Sequence, residues 1–222
     1  MRKLFVFIIL LSKLSNTIAQ EFDVNLSYKY MYSNQWDKAI QTYNFSRPFI
    51  SEKQPLLMHG SNASISYIFK STKSLKHGIN LSYSYFRSSS KNENFKNSLN
   101  LHFINLGYAM HFDSYNKMKG LYTDLIISAT SSGLFRNING QPFVYDEKKA
   151  RSFGIGGDIS LKLGYKIKFK TQSSFSPFIS LGYTPYLYSP NTETSINQTK
   201  GLTSKNWTNI LSTQIGLSIH IK

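Results

Sequence analysis

His59 and Ser61 are the residues in this chain whose types and spacing could do covalent chemistry. A serine becomes a nucleophile when an adjacent base takes its proton. In an extended chain, residues two apart point to the same side. The stretch His59-Gly60-Ser61-Asn62-Ala63 therefore permits such a couple if it lies in a strand. No acidic residue can be assigned to orient the imidazole, and the alternative is a set of polar residues at a strand start. Other chemical patterns are thinner. Cysteine is absent and His59, His77, His102, His111 and His220 are scattered, so no metal-ligand spacing is visible. Gly154-Ile155-Gly156-Gly157 has the glycines of a phosphate loop without the helix that such a loop opens. Neither a cofactor nor a metal is expected.

The element that would position these residues is clearest at 153–169. Every odd position there is apolar or aromatic except Gly157, while the even positions are Gly154, Gly156, Asp158, Ser160, Lys162, Gly164, Lys166 and Lys168. A period of two means a β-strand. Soluble strands usually end after about five or six residues, whereas a membrane barrel strand needs about 9–11. One apolar face, one face of glycine, serine and charge, and excess length indicate a transmembrane barrel strand.

The same alternation recurs along the chain. Strand one runs from Phe22 to Ser33, and a long connection, 34–60, follows with Trp36, Arg47, Pro48 and Pro55. Strand two covers about 61–70, with His59 and Ser61 in the outward phase of Ala63 and Ile65 at its outer end. Strand three carries Ile79, Leu81, Tyr83 and Tyr85, and the serine-rich stretch 87–98 reads as a loop. In strand four, about 99–112, the apolar phase changes: Leu99, Leu101 and Phe103 alternate, then Ile104, Leu106, Tyr108, Met110 and Phe112. One extra residue near Phe103, a β-bulge, would produce that change. Strand five spans about 120–130, and 131–152 reads as a long loop. Strand seven, about 177–188, contains Pro185, which is unfavourable inside a ladder. Strand eight follows a polar loop, 189–206, and alternates from Trp207 to Ile221.

Connections that alternate long and short define the expected fold. It is all-β: an eight-stranded antiparallel transmembrane β-barrel with short periplasmic turns and long extracellular loops. Phe22, Phe69, Phe112, Phe169 and Phe178 fall at one end, and Tyr30, Tyr32, Tyr83, Tyr85, Phe153 and Trp207 at the other, as two aromatic girdles would. A secreted soluble barrel, apolar inside, is the competing all-β arrangement. Eight strands enclose just enough space for their own side chains. Asp23, Lys29, Asp124, Asp158, Lys162, Lys166 and Gln214 should thus form a paired, hydrogen-bonded lumen.

Residues 1–19 read as a cleaved secretory signal: Arg2 and Lys3, the apolar run Leu4 to Leu11, and Ala19 before Gln20. Residues 20–222 are then the barrel. The formal charge of +15 suits anionic lipid, lipopolysaccharide or an acidic partner rather than nucleic acid, which an exported chain rarely meets.

Gln214, Gly216, Ile219 and Ile221 resemble the C-terminal signal by which bacterial outer-membrane barrels are recognised for insertion, with Lys222 where a terminal aromatic is usual. The whole pattern is similar to the small eight-stranded families, OmpX-, OmpW- and OmpA-barrel-like, and the Lys-, Asn-, Ile-, Ser- and Tyr-rich composition to such proteins from Bacteroidota. That resemblance implies residence in the bacterial outer membrane, contact with lipid bilayer and lipopolysaccharide, and insertion by the barrel-assembly machinery. His59-Gly60-Ser61-Asn62 also resembles the His-x-Ser-Asn segment of the lipid A 3-O-deacylases, which implies His59 as base and Ser61 as nucleophile. The leading expectation is a non-enzymatic structural or accessory subunit of an outer-membrane complex, engaging other outer-membrane proteins. Trp36, Tyr43, Phe45, Arg47 and Phe49 in the first loop are the partner candidates, with packing across the barrel mouth the alternative for the same residues. A deacylase-like hydrolase and a narrow small-solute channel are the other functions carried forward.

Overall fold

Period-two patterning translates directly into strands. The computed structural model describes residues 21–69, 75–93, 95–114, 120–139, 151–168, 173–188 and 207–221. The expected signal at 1–19, Phe169 of the expected girdle and the loop 189–206 lie outside the described residues. Eight strands form in chain order: β1 (Glu21–Tyr32), β2 (His59–Phe69), β3 (Leu75–Asn92), β4 (Phe95–Asp113), β5 (Leu121–Asn139), β6 (Arg151–Tyr165), β7 (Ser174–Tyr188) and β8 (Trp207–Ile221). One helix, α1 (Asn34–Phe45), follows β1. Each strand pairs antiparallel with the next, and β8 pairs back onto β1, so the sheet closes into a barrel.

Parity decides which way each side chain points. In β1, Phe22, Val24, Leu26 and Tyr28 are exposed while Asp23, Asn25 and Lys29 are buried. The same inversion of a soluble protein holds around the ring: the outside is apolar and the inside polar.

Four expectations are corrected. First, β3 and β4 stay paired from Leu75 opposite Phe112 up to Asn92 opposite Phe95, so 87–98 is a tall hairpin rather than a polar loop. Backbone groups raised above the barrel are satisfied by one another in the ladder. Likewise β5 continues to Asn139, well into the stretch expected to be loop. Second, the connection 34–60 contains α1. Third, β4 has no bulge, because its pairing with β3 and with β5 proceeds in unbroken register through Phe103 and Ile104. What changes at Phe103 is the medium rather than the facing. Leu99, Leu101 and Phe103 point inward and are buried, as Asn105 and His111 are lower down. Fourth, Phe178 is buried inside the barrel, its ring beneath the Lys162 ammonium at 4.7 Å, and belongs to no girdle.

Two breaks in the ladder have local causes. β6 stops at Tyr165, and after Lys166 the pair Ile167–Lys168 resumes the pairing with β7. The N–H of Lys166 turns instead to the carbonyl of Gly120, 2.7 Å away, which itself has φ 109°. Higher up, Gly157 and Asp158 lack ladder partners opposite Thr184 and Pro185, although register is kept on both sides. Proline has no N–H to give.

Inside the barrel, Gly164 is a packing requirement. A Cβ there would come within 2.5 Å of the Tyr122 ring. Replacing Gly164 by Val should destabilise the barrel by about 1–3 kcal/mol through overpacking. A drop in the temperature at which the folded band converts on heat-modifiable electrophoresis is the measurement.

Candidate functional site

The lumen is built in three layers, each from a distinct residue chemistry. α1 forms the outer layer. Trp36, Ala39, Ile40 and Tyr43 fall at helical spacing and are buried, a stripe that faces the core. Ser33 occupies the N-cap position with extended backbone, its hydroxyl 3.0 Å from that of Thr208, and Asp37 in the first turn complements the helix dipole. The Trp36 ring stacks on Phe103 at 6.3 Å and meets Tyr186 and Tyr188 edge-on at 5.6 and 6.1 Å. Met31, Leu57, Phe86, Leu134 and Ile210 belong to the same cluster. The inward Leu99, Leu101 and Phe103 of β4 are apolar because the helix is their neighbour.

Above the cluster, polar groups tie the connection down. Asn97 donates to the Tyr43 hydroxyl at 3.1 Å and to Gln54 Oε1 at 2.9 Å. Asn44 clamps the backbone of Gln54 from both sides at 2.8 Å. Arg47 lies over the Tyr43 ring, 4.4 Å from its centroid, and burial pushes the Arg47 guanidinium below its ordinary pKa. Of the five partner candidates, Trp36 and Tyr43 are packed in the mouth. Phe45 is 91% exposed and Phe49 52% exposed.

The middle layer is polar, mostly amides and hydroxyls. Asn25 donates to Ser64 at 2.9 Å, Asn80 to Ser66 at 2.8 Å, and Ser84 to Asn62 at 2.9 Å. Ser27 donates to Gln214 at 3.0 Å. Asn25, Asn62, Ser64, Asn80 and Gln214 line a cavity of about 40 Å³ together with Lys29, Asp158 and Lys162, room for ordered water.

At the end of the barrel where β1 starts and β8 finishes, the layer is ionic. Lys162 reaches Asp124 at 3.1 Å and Asn25 at 2.8 Å. His111 Nδ1 is 2.5 Å from Asp124, and its Nε2 is 3.1 Å from Asp113. Asp113 is shared with Lys76 at 2.8 Å and Lys166 at 2.7 Å, and Lys76 reaches Glu21 at 2.9 Å. A second dyad, His220 with Asp23 at 2.5 Å, lies across the Tyr122 ring from His111. All seven lumen residues expected from sequence thus face inward. His111, His220, Asp113, Lys76 and Glu21 were missed, although the inward parity of their strands was the available signal.

Asp23, His111 and Asp124 present possible metal-ligand atoms within 4.8 Å of one another. The ammonium of Lys162 already supplies positive charge at Asp124. The cluster reads as an ion-paired plug.

His59 and Ser61 are both exposed on the outward face at the outer end of β2, as their parity requires. The Nδ1 of His59 is hydrogen-bonded to the Tyr28 hydroxyl rather than to a carboxylate. Two further pairs repeat this contact: Tyr83 with His102 at 2.6 Å, and Tyr108 with His77. In all three the histidine sits two residues before the tyrosine's direct cross-strand partner, a diagonal within reach of long side chains.

No family model matches the chain, and no curated protein matches it. Among solved structures it is similar to Neisserial surface protein A, with TM-score 0.46 and 12% identity over 91% of this chain and 96% of that one. It is also similar to Ail of Yersinia pestis, with TM-score 0.46 and 9% identity over 91% and 99%. For OprG from Pseudomonas aeruginosa the TM-score is 0.41 and the identity 9%, over 92% and 97%. At these levels the likeness says nothing about activity or ligand.

The ionic layer generates a stability test. Asp124→Asn strands Lys162 and His111 in a buried site and should cost about 3–5 kcal/mol. Adding Lys162→Met should recover most of that loss. Urea unfolding of the single and double variants in lipid vesicles is the measurement. A second test concerns the outer layer, where Trp36→Ala should cost about 3–5 kcal/mol by leaving a cavity.

Proposed function

We propose that this chain is an integral barrel of a bacterial outer membrane, of a Bacteroidota-type cell, acting as a non-enzymatic structural or accessory subunit. The apolar belt carries this reading. Leu26 and Ile215, on neighbouring strands, are each 64% exposed, and large apolar side chains stay exposed on every strand of the ring. Water tolerates contiguous apolar patches of only about a few hundred Å², so hydrocarbon is the medium that fits. Among the described residues no helix is long and apolar enough to cross a membrane, and the strands cross instead. The expected signal at 1–19, cleaved on export, and the C-terminal pattern read by the barrel-assembly machinery agree with that location.

The accessory role rests on how the lumen is filled. α1, the polar layer and the ionic layer occupy it from rim to rim, which leaves the outer surface as the working face. Phe45 and Phe49 project from the first connection beside Arg47 and Lys53, an apolar and basic surface suited to another outer-membrane protein with an acidic rim. Lipopolysaccharide phosphate is the companion ligand for the same positive charge. Hydrolysis of lipid A acyl linkages is a second reading, supported by the shared outward face of His59 and Ser61. Lipid A released from cells with and without the protein, with His59→Ala as control, tests it; unchanged acyl composition ends it.

Fractionation followed by tagged purification in mild detergent tests the main reading. The chain should collect in the outer-membrane fraction with a partner at fixed stoichiometry, and Phe45→Ser with Phe49→Ser should release that partner. Recovery of the barrel alone would overturn the subunit role, and recovery in the soluble fraction would overturn the membrane location. Planar-bilayer recordings should show no discrete conductance.

A further inference from the structure

The outward face of the barrel is not chemically even. Among the described residues no strand turns a carboxylate outward: Glu21, Asp23, Asp113, Asp124 and Asp158 all have inward parity and join the lumen network. Outward cations do occur, and Arg87 stands at the edge of the apolar belt. It is exposed on β3, two residues beyond Tyr85 and four beyond Tyr83. No acidic side chain pairs with it among the described residues. Farther out, Lys91 and Lys96 are paired, but Glu52 bridges to Lys91 and Glu93 follows two residues on.

Register sets two histidines beside Arg87. On β4 Arg87 pairs with Asn100, and on β2 His59 is the next residue beyond the last pair, Gly60 with Phe86. One rung nearer the belt, Tyr85 pairs with Ser61 and His102. His59 and His102 thus flank β3, two strand spacings or about 10 Å apart across the sheet. Each imidazole is held through Nδ1 by a tyrosine hydroxyl, that of Tyr28 for His59 and that of Tyr83, at 2.6 Å, for His102. The Tyr85 hydroxyl donates to Asn100 at 2.8 Å. Neither imidazole has a hydrogen-bond partner at Nε2 among the described residues. A tyrosine that donates to Nδ1 leaves the ring hydrogen on Nε2. His59, Arg87 and His102 are then three neighbouring donors on a wall without carboxylates. The row through His102 continues over Gly133 to Phe153, which is 62% exposed, so the donors are confined to β2–β4.

We propose that this face of β2–β4 binds the headgroup phosphate of one membrane lipid, with Arg87 taking two phosphate oxygens and His59 and His102 donating from either side. The inference rests on the membrane reading above, and the site is separate from the Arg47 and Lys53 surface of the first connection. A guanidinium fork matches phosphate geometry. Amphipathic rings such as Tyr83 and Tyr85 settle at the level of lipid headgroups. A lipid fits better than free phosphate because Leu81, Tyr83 and Ile104, just below, are 52%, 44% and 54% exposed. The acyl chains of the same molecule lie on them.

Vesicle flotation and heat-modifiable migration of the full chain establish insertion first, for the wild type and each variant. Protein extracted in dodecyl maltoside is then loaded with dimyristoyl phosphatidic acid, or with dimyristoylglycerol, which lacks the phosphate, and read by native mass spectrometry. The wild type should retain one phosphatidic acid per barrel and no dimyristoylglycerol. Arg87→Gln should lower the lipid-bound fraction about tenfold, and Arg87→Lys, which keeps the charge without the fork, should fall between. His59→Ala with His102→Ala should lower it severalfold, whereas His77→Ala, which breaks the equivalent tyrosine pair at the other end of β3, should leave it unchanged. Equal retention in wild type and Arg87→Gln would overturn the site, and so would an equal loss in Lys168→Gln, which would mean attraction to net charge. Retention of dimyristoylglycerol would overturn it in favour of acyl contact alone. Displacement of the lipid by equimolar inorganic phosphate would overturn it in favour of a soluble anion. Failure of the wild type to float with vesicles would instead sink the membrane reading on which the site rests.

Discussion

Closure of the hydrogen-bond ladder is the constraint on which everything else depends. In hydrocarbon a peptide group has no water to bond, so each strand must be satisfied by its two neighbours and the sheet can have no edge. The pairing of β8 with β1 achieves this, from Phe22 opposite Ile221 to Tyr32 opposite Leu211. Once the backbone is closed, the outward side chains are free to be apolar and the inward ones must satisfy each other. Pro177 and Pro185 are the positions on β7 that give up a ladder donor, and at Pro185 the pairing with β6 lapses.

The inward side chains solve their problem differently at each depth. At the end where the chain's first and last strands meet, carboxylates and ammonium groups alternate: Glu21, Lys76, Asp113, Lys166, then Asp124 and Lys162. Paired in this way, buried charge avoids the desolvation penalty it would otherwise incur. At mid-height the donors and acceptors are mostly neutral amides and hydroxyls, with Lys29 and Asp158 among them. Toward the outside the barrel wall itself turns apolar and folds α1 into its mouth. Its amphipathic stripe is stabilised by packing on Phe103, Tyr186 and Tyr188 more than by a capping hydrogen bond, since the Ser33 side chain makes none. The helix and the inward Leu99, Leu101 and Phe103 are one hydrophobic core at the rim of a polar tube.

Strand number, order and facing were legible in the sequence because parity is a strict code: a single-residue slip would turn every lipid-facing side chain inward. The failures share one cause. Alternation reports the medium on each side of a strand, and that medium changes with height. Above the apolar belt the residues of β3 and β4 between 87 and 98 are polar on both faces, so the alternation vanished and the stretch read as a loop. At Phe103 the inner medium changes from polar lumen to helix core, and the apolar phase switched without any change of facing. α1 was hidden for a related reason. Asn34-Gln35-Trp36-Asp37-Lys38 is locally polar, and its stripe of Trp36, Ile40 and Tyr43 is only as wide as the mouth it fills.

The histidines show what register adds to parity. In sequence they are five isolated residues. Paired across strands, they divide into two sets with different chemistry. His111 and His220 have inward parity and meet Asp124 and Asp23. His59, His77 and His102 have outward parity and meet Tyr28, Tyr108 and Tyr83. An imidazole facing lipid needs a hydrogen-bond partner as much as a buried one does, and a tyrosine on the adjacent strand provides it while keeping its ring in the apolar belt. His59 is therefore accounted for as one member of a repeated structural pair, independently of Ser61. A base that activates serine needs an orienting group that stabilises positive charge on the ring. A phenol does this less well than a carboxylate, and the carboxylates that pair with histidine here, those of Asp23, Asp113 and Asp124, lie on the opposite face of the wall. The separation of acids inside from aromatics outside, which the closed ladder enforces, is thus what weights this barrel toward binding through its outer surface.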